Sequence, residues 1–163
     1  MELIKIDKDN RKLVLEQLKE AAIWLKDHDI DYWQNWHNPS DLHKNWIKEG
    51  LKKEQFYGVY EDAQLIGIFR LQYNDELFWG KRNDKAGYVH SFTTNRKMSG
   101  QGVGYRILDK ITELLQENGS DYLRLDCGIE NTKLIKFYKK YGFEEAGEAF
   151  VYQERLVLLQ KRI

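Results

Sequence analysis

The sequence contains one cysteine, Cys127, one proline, Pro39, and no excess charge of either sign. A single cysteine excludes an intrachain disulfide framework and a multi-cysteine zinc site, and it is typical of a reducing compartment. The 26 basic residues equal the 26 acidic residues, which excludes a globally basic coat for nucleic acid. No apolar run approaches the roughly 20 residues of a membrane span, and the first residues lack the order of a signal peptide. We expect a cytoplasmic protein that binds neither nucleic acid nor membrane.

The length and composition are those of one folded domain. The chain has 163 residues, of which 42% are hydrophobic and 13% aromatic, and domains cluster near about 100–150 residues. No Ser/Gly-rich linker, internal repeat or low-complexity tract interrupts it. We therefore expect a single domain that covers residues 1–163.

Hydrophobic periodicity predicts a mixed α/β sheet, antiparallel early and with helical crossovers later. The predicted order is β-α-α-β-β-β-α-β-α-β-β. Predicted strands are Leu3–Ile6, Phe56–Tyr60, Gln64–Leu71, Ala86–Thr94, Tyr122–Leu125, a strand from Phe143 onward, and Val151–Leu159; predicted helices cover about 9–27, the segment from Ser40 or Asp41 through Leu51, 103–115 and 134–141.

The sharpest motif is Ser-Gly-Gln-Gly-Val-Gly at Ser99–Gly104, which follows a predicted strand and opens a predicted helix. Three glycines let the backbone bend tightly and gather its N–H groups. A helix N-terminus adds unpaired donors and partial positive charge. The motif predicts an anion site suited to a pyrophosphate, flanked by Arg96, Lys97 and Arg106. A glycine-rich turn without a ligand is the alternative.

Two other phosphate-binding motifs fit poorly. The dinucleotide fingerprint needs a small residue where Tyr105 stands, although Asp126 follows about 20 residues later as that fold requires. A Walker A loop needs Gly-Lys-Ser/Thr, which the sequence lacks. A nucleotide-dependent oxidoreductase is therefore disfavoured.

Three segments together resemble the GNAT superfamily of acetyl-CoA-dependent N-acetyltransferases. They are Gly87–Thr94, Ser99–Gly104 and Asn131–Phe143, the last with an Asn, a Tyr and a Gly-Phe at that family's spacing. The resemblance is close from about Gly87 to Gly147, and the predicted element order extends it over the whole chain. Ser99 stands where the family prefers Gln or Arg, and Leu134 where it prefers Ala.

The resemblance implies a binding site for acetyl-CoA. The backbone of Phe92–Thr94 would pair with the pantetheine arm, and an N–H near Phe92 would polarise the thioester carbonyl. Tyr138 would protonate the leaving thiolate, since an unperturbed phenol with a pKa of about 10 stays protonated at neutral pH. A core aromatic is the alternative for Tyr138. The implied cofactor-binding residues are Phe92, Thr93, Thr94, Ser99, Gly100, Gln101, Gly102, Val103, Gly104, Tyr105 and Asn131.

A general base is needed because an acceptor amine is mostly protonated near pH 7. His90 lies on the strand beside the implied thioester and titrates in the right range. Asp75 and Glu76, which precede that strand, are alternatives. Cys127 has no histidine near it in sequence, so we expect a buried, inert thiol.

Acceptor residues are expected in the loop after the first helix, which often lines the acceptor pocket in this family. Asp29 and Asp31 with Trp33 would suit a cationic amine by charge pairing and cation–π contact, and Glu76 is a further candidate. A solvated acidic turn with tryptophans packed on the core is the alternative. The spacing of the histidines matches no metal motif, so we expect no metal.

These observations predict an enzyme that transfers acetyl from acetyl-CoA to a primary amine by direct attack. The acceptor is expected to be a small molecule or a peptide amine. A non-catalytic acyl-CoA-binding sensor or regulatory module is the alternative. The apolar terminal strand Val151–Leu159 suits either a homodimer interface or an internal position in the sheet.

Overall fold

The computed structural model describes all 163 residues, and its elements follow the predicted order. Three short elements were not predicted: a one-turn helix at Glu76–Trp79 and 3-10 turns at Gln34–His37 and Arg96–Met98. The helices are α1 (Arg11–Asp27), α2 (Asp41–Lys52), α3 (Glu76–Trp79), α4 (Val103–Glu117) and α5 (Thr132–Tyr141), and the strands are β1 (Glu2–Lys5), β2 (Phe56–Glu61), β3 (Gln64–Gln72), β4 (Ala86–Thr94), β5 (Tyr122–Gly128), β6 (Glu144–Val151) and β7 (Glu154–Arg162).

The seven strands form one mixed sheet in the order β1-β2-β3-β4-β5-β7-β6. Strands β1 and β2, β2 and β3, β5 and β7, and β6 and β7 pair antiparallel, whereas β4 and β5 pair in parallel. A parallel pair needs a crossover, and α4 supplies it between β4 and β5. The predicted mixed α/β class is confirmed.

The chain divides into two compact units, the first made of residues 1–70 and 91–107. Its core lies under α1 and α2, where apolar side chains recur at helical spacing. Ser40 caps α2, because its side-chain oxygen accepts a hydrogen bond from the His43 N–H. The core residues are Ile6, Val14, Leu18, Ala22, Trp36, Ile47, Leu51, Phe56 and Ile68.

The second unit comprises residues 71–90 and 108–163. The guanidinium of Arg124 lies in its interior, where it donates to both carboxylate oxygens of Asp84 at 2.7 and 2.5 Å and to the Tyr88 hydroxyl at 3.0 Å. The Trp79 ring lies 5.0 Å from the same guanidinium. This ion pair fixes the start of β4 against β5, whose register begins at Ala86 opposite Tyr122.

The two closing strands differ from the prediction at their boundary. The predicted strand Val151–Leu159 includes Tyr152 and Gln153, but these residues form a two-residue turn between β6 and β7 and have φ of 50° and 66°. Strand β7 lies between β5 and β6, so it takes the internal position. A homodimer stays a prediction.

No helix in the structure combines the length and the apolar character needed to cross a membrane.

Candidate active site

The glycine-rich loop of the first unit has a backbone that only glycine adopts without strain. Gly100 and Gly102 have φ of 79° and 69°, and no atom lies within 4 Å of where a Cβ would stand at either residue. Helix α4 begins directly after the loop, at Val103. The N–H groups in the first turn of a helix point out of it. The loop therefore presents backbone donors to open space, as an anion site requires.

The side chains around this loop are partly engaged already. Arg106 donates to Glu61 at 2.6 Å, and the Arg96 guanidinium lies 4.4 Å from the centre of the Trp24 ring. Ser99 and Gln101 are exposed, whereas Val103 is buried. The Tyr105 N–H bonds to the Gly102 carbonyl at 3.1 Å. The Gln101 N–H bonds to the Met98 carbonyl at 3.3 Å, so these two amides, like the two arginines, already have partners within the protein.

Strand β4 ends with Phe92, Thr93 and Thr94, shortly before this loop in the chain. Ser91, just before them, has a φ of 52°, which is unusual for a non-glycine residue within a strand. Thr93 is buried and its hydroxyl has no hydrogen-bond partner. The Asn95 N–H bonds to the Ile66 carbonyl at 2.8 Å, which anchors the end of the strand to β3.

In the second unit, His90 lies between two carboxylates. Its Nε2 atom is 2.8 Å from Oδ2 of Asp75, and its Nδ1 atom is 3.5 Å from Oδ1 of Asp126. The three side chains are nearly inaccessible, at 9% exposed for His90, 4% for Asp75 and 12% for Asp126. The predicted base is therefore a buried imidazole with an acidic partner at each ring nitrogen.

The secondary structure explains why Asp75 and Asp126 lie beside His90. Asp75 directly precedes α3, and His90 lies in β4. Asp126 follows Leu125, which pairs with Val89 in the parallel ladder, so the pairing brings β5 alongside His90. Glu76, the neighbour of Asp75, is exposed. The sequence pattern offered Asp75 as an alternative base, but it gave no signal that Asp126 would join it.

The electrostatics of this cluster centre on Asp126. Burial raises the pKa of Asp126 to about 6, against the lowering effect of His90, and the nearby Asp75 and Glu154 add to the rise. Its Oδ1 atom is buried without a hydrogen bond. The side chain can therefore change protonation near neutral pH, close to the range in which a free imidazole does.

The same three residues could hold a metal ion, since their ligand atoms lie within 4.8 Å of one another. The carboxylates, however, approach different nitrogens of one imidazole ring. A single ion can bind only one of those nitrogens. The arrangement fits proton sharing along a row of three groups better than joint coordination of an ion.

Tyr138 is buried in α5. Its ring makes edge contacts with Phe137 at 5.3 Å and with Phe143 at 5.5 Å. Asn131 caps the same helix, because its Oδ1 accepts the Leu134 N–H at 3.2 Å. Both residues thus have structural contacts, and their implied roles toward acetyl-CoA stay predictions.

Cys127 lies within β5, not after a strand as the sequence had indicated, because β5 continues to Gly128. Burial, with a smaller contribution from Asp126, raises the pKa of its thiol to about 12. The thiol therefore stays protonated at neutral pH, in agreement with the expected inert role.

The predicted acceptor residues of the first unit lie in the loop after α1. Asp29 and Asp31 are exposed, and Asp29 has a φ of 55°. Trp33 is partly buried and packs on the core beneath α1, a core that includes Trp36. This packing agrees with the alternative interpretation, a solvated acidic turn whose tryptophans pack on the core. An acceptor role for the aspartates stays a prediction.

Comparison with known proteins gives one consistent family. The model of the acetyltransferase (GNAT) family matches residues 18–143. The uncharacterised N-acetyltransferase YesJ of Bacillus subtilis is 26% identical over 135 residues, which cover 80% of this chain and 74% of that protein.

Solved structures give the same picture of the fold. A GNAT-family acetyltransferase from Listeria monocytogenes has a TM-score of 0.80 at 23% identity, covering 99% of this chain and 94% of its own. The aminoglycoside acetyltransferase AAC(6')-Ib, solved with coenzyme A and kanamycin, has a TM-score of 0.73 at 18% identity, covering 98% and 93%.

Proposed function

Because the chain belongs to the acetyltransferase (GNAT) family, we propose that it transfers acetyl from acetyl-CoA to a primary amine by direct attack of the amine nitrogen. Family membership confirms the predicted acyltransferase class and acetyl-CoA as the cosubstrate. We further propose that residues 1–163 act as one catalytic domain. The buried row Asp75–His90–Asp126 carries the proposal, because it supplies a base for the protonated amine.

We assign the pyrophosphate of acetyl-CoA to the N–H groups of the Gly100–Gly104 segment. The left-handed φ of Gly100 and Gly102, and the open space beside both, support this assignment. The backbone of Phe92–Thr94 pairs with the pantetheine arm, and the N–H near Phe92 polarises the thioester carbonyl. Ser99 has only a short side chain, so the backbone N–H groups make the contacts to the pyrophosphate of acetyl-CoA.

His90 acts as the general base. In the tautomer in which its Nε2–H donates to Asp75, Nδ1 carries the lone pair and can accept a proton. The Asp75 carboxylate orients the ring and stabilises the imidazolium that forms. Asp126, 3.5 Å from Nδ1, adds negative charge that favours both the imidazolium and an incoming ammonium group.

The bonds and protons of the reaction balance. His90 removes one proton from the ammonium group of the acceptor and passes it to solvent. The free amine attacks the thioester carbon, the nitrogen loses a second proton, and the C–S bond breaks. The CoA thiolate takes a proton from the Tyr138 hydroxyl, and that phenolate is restored by the proton which left the nitrogen. The products are an amide and CoA.

Thiol release from acetyl-CoA in the presence of a panel of primary amines tests this proposal, with mass spectrometry of the amine product. We expect the wild type to give a product about 42 Da heavier than the amine, because an acetyl group replaces one hydrogen. Tyr138→Phe should lower kcat about 100-fold while the protein stays folded, because a phenyl ring fills the same buried space. Acetyl-CoA binding without turnover on any amine would instead support the non-catalytic alternative.

A further inference from the structure

A strained turn at the β6–β7 hairpin holds an aromatic side chain in solvent. Val151 pairs with Glu154 across the turn, so Tyr152 and Gln153 alone form it. Both have left-handed φ, which is the geometry of a type I′ turn. Asn-Gly is the preferred sequence there, and a bulky residue in this region is a genuine outlier. Stability alone does not explain a tyrosine at this position.

The turn places Tyr152 in a row of aromatic rings that ends at the candidate base. The Tyr152 ring lies 6.4 Å from Phe78, edge to face, and the Phe78 ring lies 5.0 Å from the His90 ring. Tyr152 is 58% exposed and Phe150, on the same hairpin, is 70% exposed. All four residues belong to the second unit. The partly buried Phe78 ring therefore links the exposed Tyr152 ring to the buried row of Asp75, His90 and Asp126.

We propose that the acceptor is an arylalkylamine, a primary amine attached by a short chain to an aromatic ring. This inference rests on the proposed acetyl transfer and names the substrate class for the same site. The ammonium group is attracted by the carboxyl groups of Asp75 and Asp126, which flank His90. The aromatic ring packs on Phe78 and on the exposed face of Tyr152, which gives offset or edge-to-face contacts.

The charge of the site favours this occupant over an apolar protein surface. The acidic row offers two carboxylates to at most one imidazolium, so it favours a cation at the inner end of the aromatic row. Phe78 itself is partly buried, which limits the contact to a small planar group. A small amine with a cationic end and a flat apolar end matches both features.

The test compares 2-phenylethylamine with n-butylamine as acceptors, in the wild type and in two hairpin variants. Gln153→Gly relaxes the turn and keeps the tyrosine. Tyr152→Asn combined with Gln153→Gly gives the preferred turn sequence and removes the ring, so it should fold at least as well as the wild type. This design separates the role of the ring from the role of the turn.

We expect the wild type to prefer 2-phenylethylamine in kcat/KM. Gln153→Gly should keep that preference, and the double variant should reduce it about threefold to tenfold, mainly through KM, which is the range of one aromatic contact. Both variants should melt at or above the wild-type temperature.

Two results would overturn the inference, and they differ in what else they overturn. Equal kcat/KM for the two amines, or an unchanged preference in the double variant, would contradict the arylalkylamine class and leave acetyl transfer intact. No turnover with either amine, or with any other primary amine, would contradict the proposed function as well.

Discussion

His90 and Asp75 lie 15 positions apart in the chain, yet the Nε2 atom of the imidazole lies 2.8 Å from Oδ2 of the carboxyl group. Both side chains are almost fully buried. A buried carboxylate stabilises the protonated form of a neighbouring imidazole and fixes the orientation of its ring. Asp75 is therefore a positioning residue for the proposed base, and its removal has a consequence that can be measured.

Asp75→Asn should move the acid limb of the kcat/KM profile to lower pH. Asparagine can still accept the Nε2–H, so the ring keeps its orientation, but loss of the charge lowers the pKa of the imidazole. A weaker base should also lower the plateau about tenfold or more. Steady-state rates measured between pH 5 and 9 check this, and an acid limb at the wild-type position would show that Asp75 is merely structural.

Asp126→Asn should stabilise the protein at neutral pH and not in acid. The pKa of Asp126 is about 6 in the folded protein, above its ordinary value of 3.8, so the folded state binds the extra proton. The resulting stability is present below about pH 4 and is lost as the pH rises through 6. Asparagine resembles the neutral form at every pH.

The gain from Asp126→Asn should accordingly grow between pH 4 and pH 7 and then level off, at up to about 3 kcal/mol. Urea denaturation at several pH values measures it. A difference between variant and wild type that stays constant over this range would contradict the raised pKa.

Gly102→Ala and Gly119→Ala form a matched pair for the proposed phosphate loop. The two glycines have φ of 69° and 70°, and at neither residue does any atom lie within 4 Å of the position that a Cβ would take. Alanine should thus cost about 1–2 kcal/mol of stability at either position. Only Gly102→Ala should also weaken acetyl-CoA binding, by about tenfold, since its Cβ would stand where the pyrophosphate approaches.

Isothermal titration of both glycine variants with acetyl-CoA, beside thermal melts, makes this comparison. Equal affinity for acetyl-CoA in the two variants would contradict the assignment of the pyrophosphate to this loop. Equal losses of stability are needed for the comparison to isolate binding.

Asp84→Asn should destabilise the protein by about 2–3 kcal/mol at neutral pH. Asp84 accepts two hydrogen bonds from Arg124, whose side chain is 2% exposed. These hydrogen bonds hold the pKa of Asp84 below its usual range. The stability they provide is present above the ordinary carboxyl pKa and is lost as the pH falls below it.

Asp121→Asn is the control for this variant, since Asp121 is exposed directly before β5 and its change should stay within about 0.5 kcal/mol. Urea denaturation at pH 7 measures both. An Asp84→Asn variant as stable as Asp121→Asn would mean that the Arg124 pair contributes nothing net.

The fold could be predicted from the sequence because its signals are local. Helical spacing identified α1, α2, α4 and α5, and Gly142 marked the end of α5 with its left-handed φ. The turn at Tyr152 and Gln153 escaped prediction, because neither residue is a usual type I′ residue and the apolar Phe150 and Val151 directly precede them.

The sequence predicts only those parts of the candidate site that lie within one segment of the chain. The loop at Ser99–Gly104 can be read from its glycines, and His90 from its place in a strand. The pairing of His90 with Asp126 depends on the parallel register of β4 and β5, a contact between residues distant in sequence. Nothing in the composition around Asp126 indicates that its carboxylate would be buried.

The most direct test of the account is the pH dependence of acetyl transfer in His90→Gln beside the wild type, with acetyl-CoA and a primary amine. A general base contributes about 100-fold or more. We predict that the variant loses at least that factor in kcat/KM at pH 7 and regains rate only as rising pH deprotonates the amine itself. A variant with the wild-type rate and pH profile would contradict the assignment of His90 as the base.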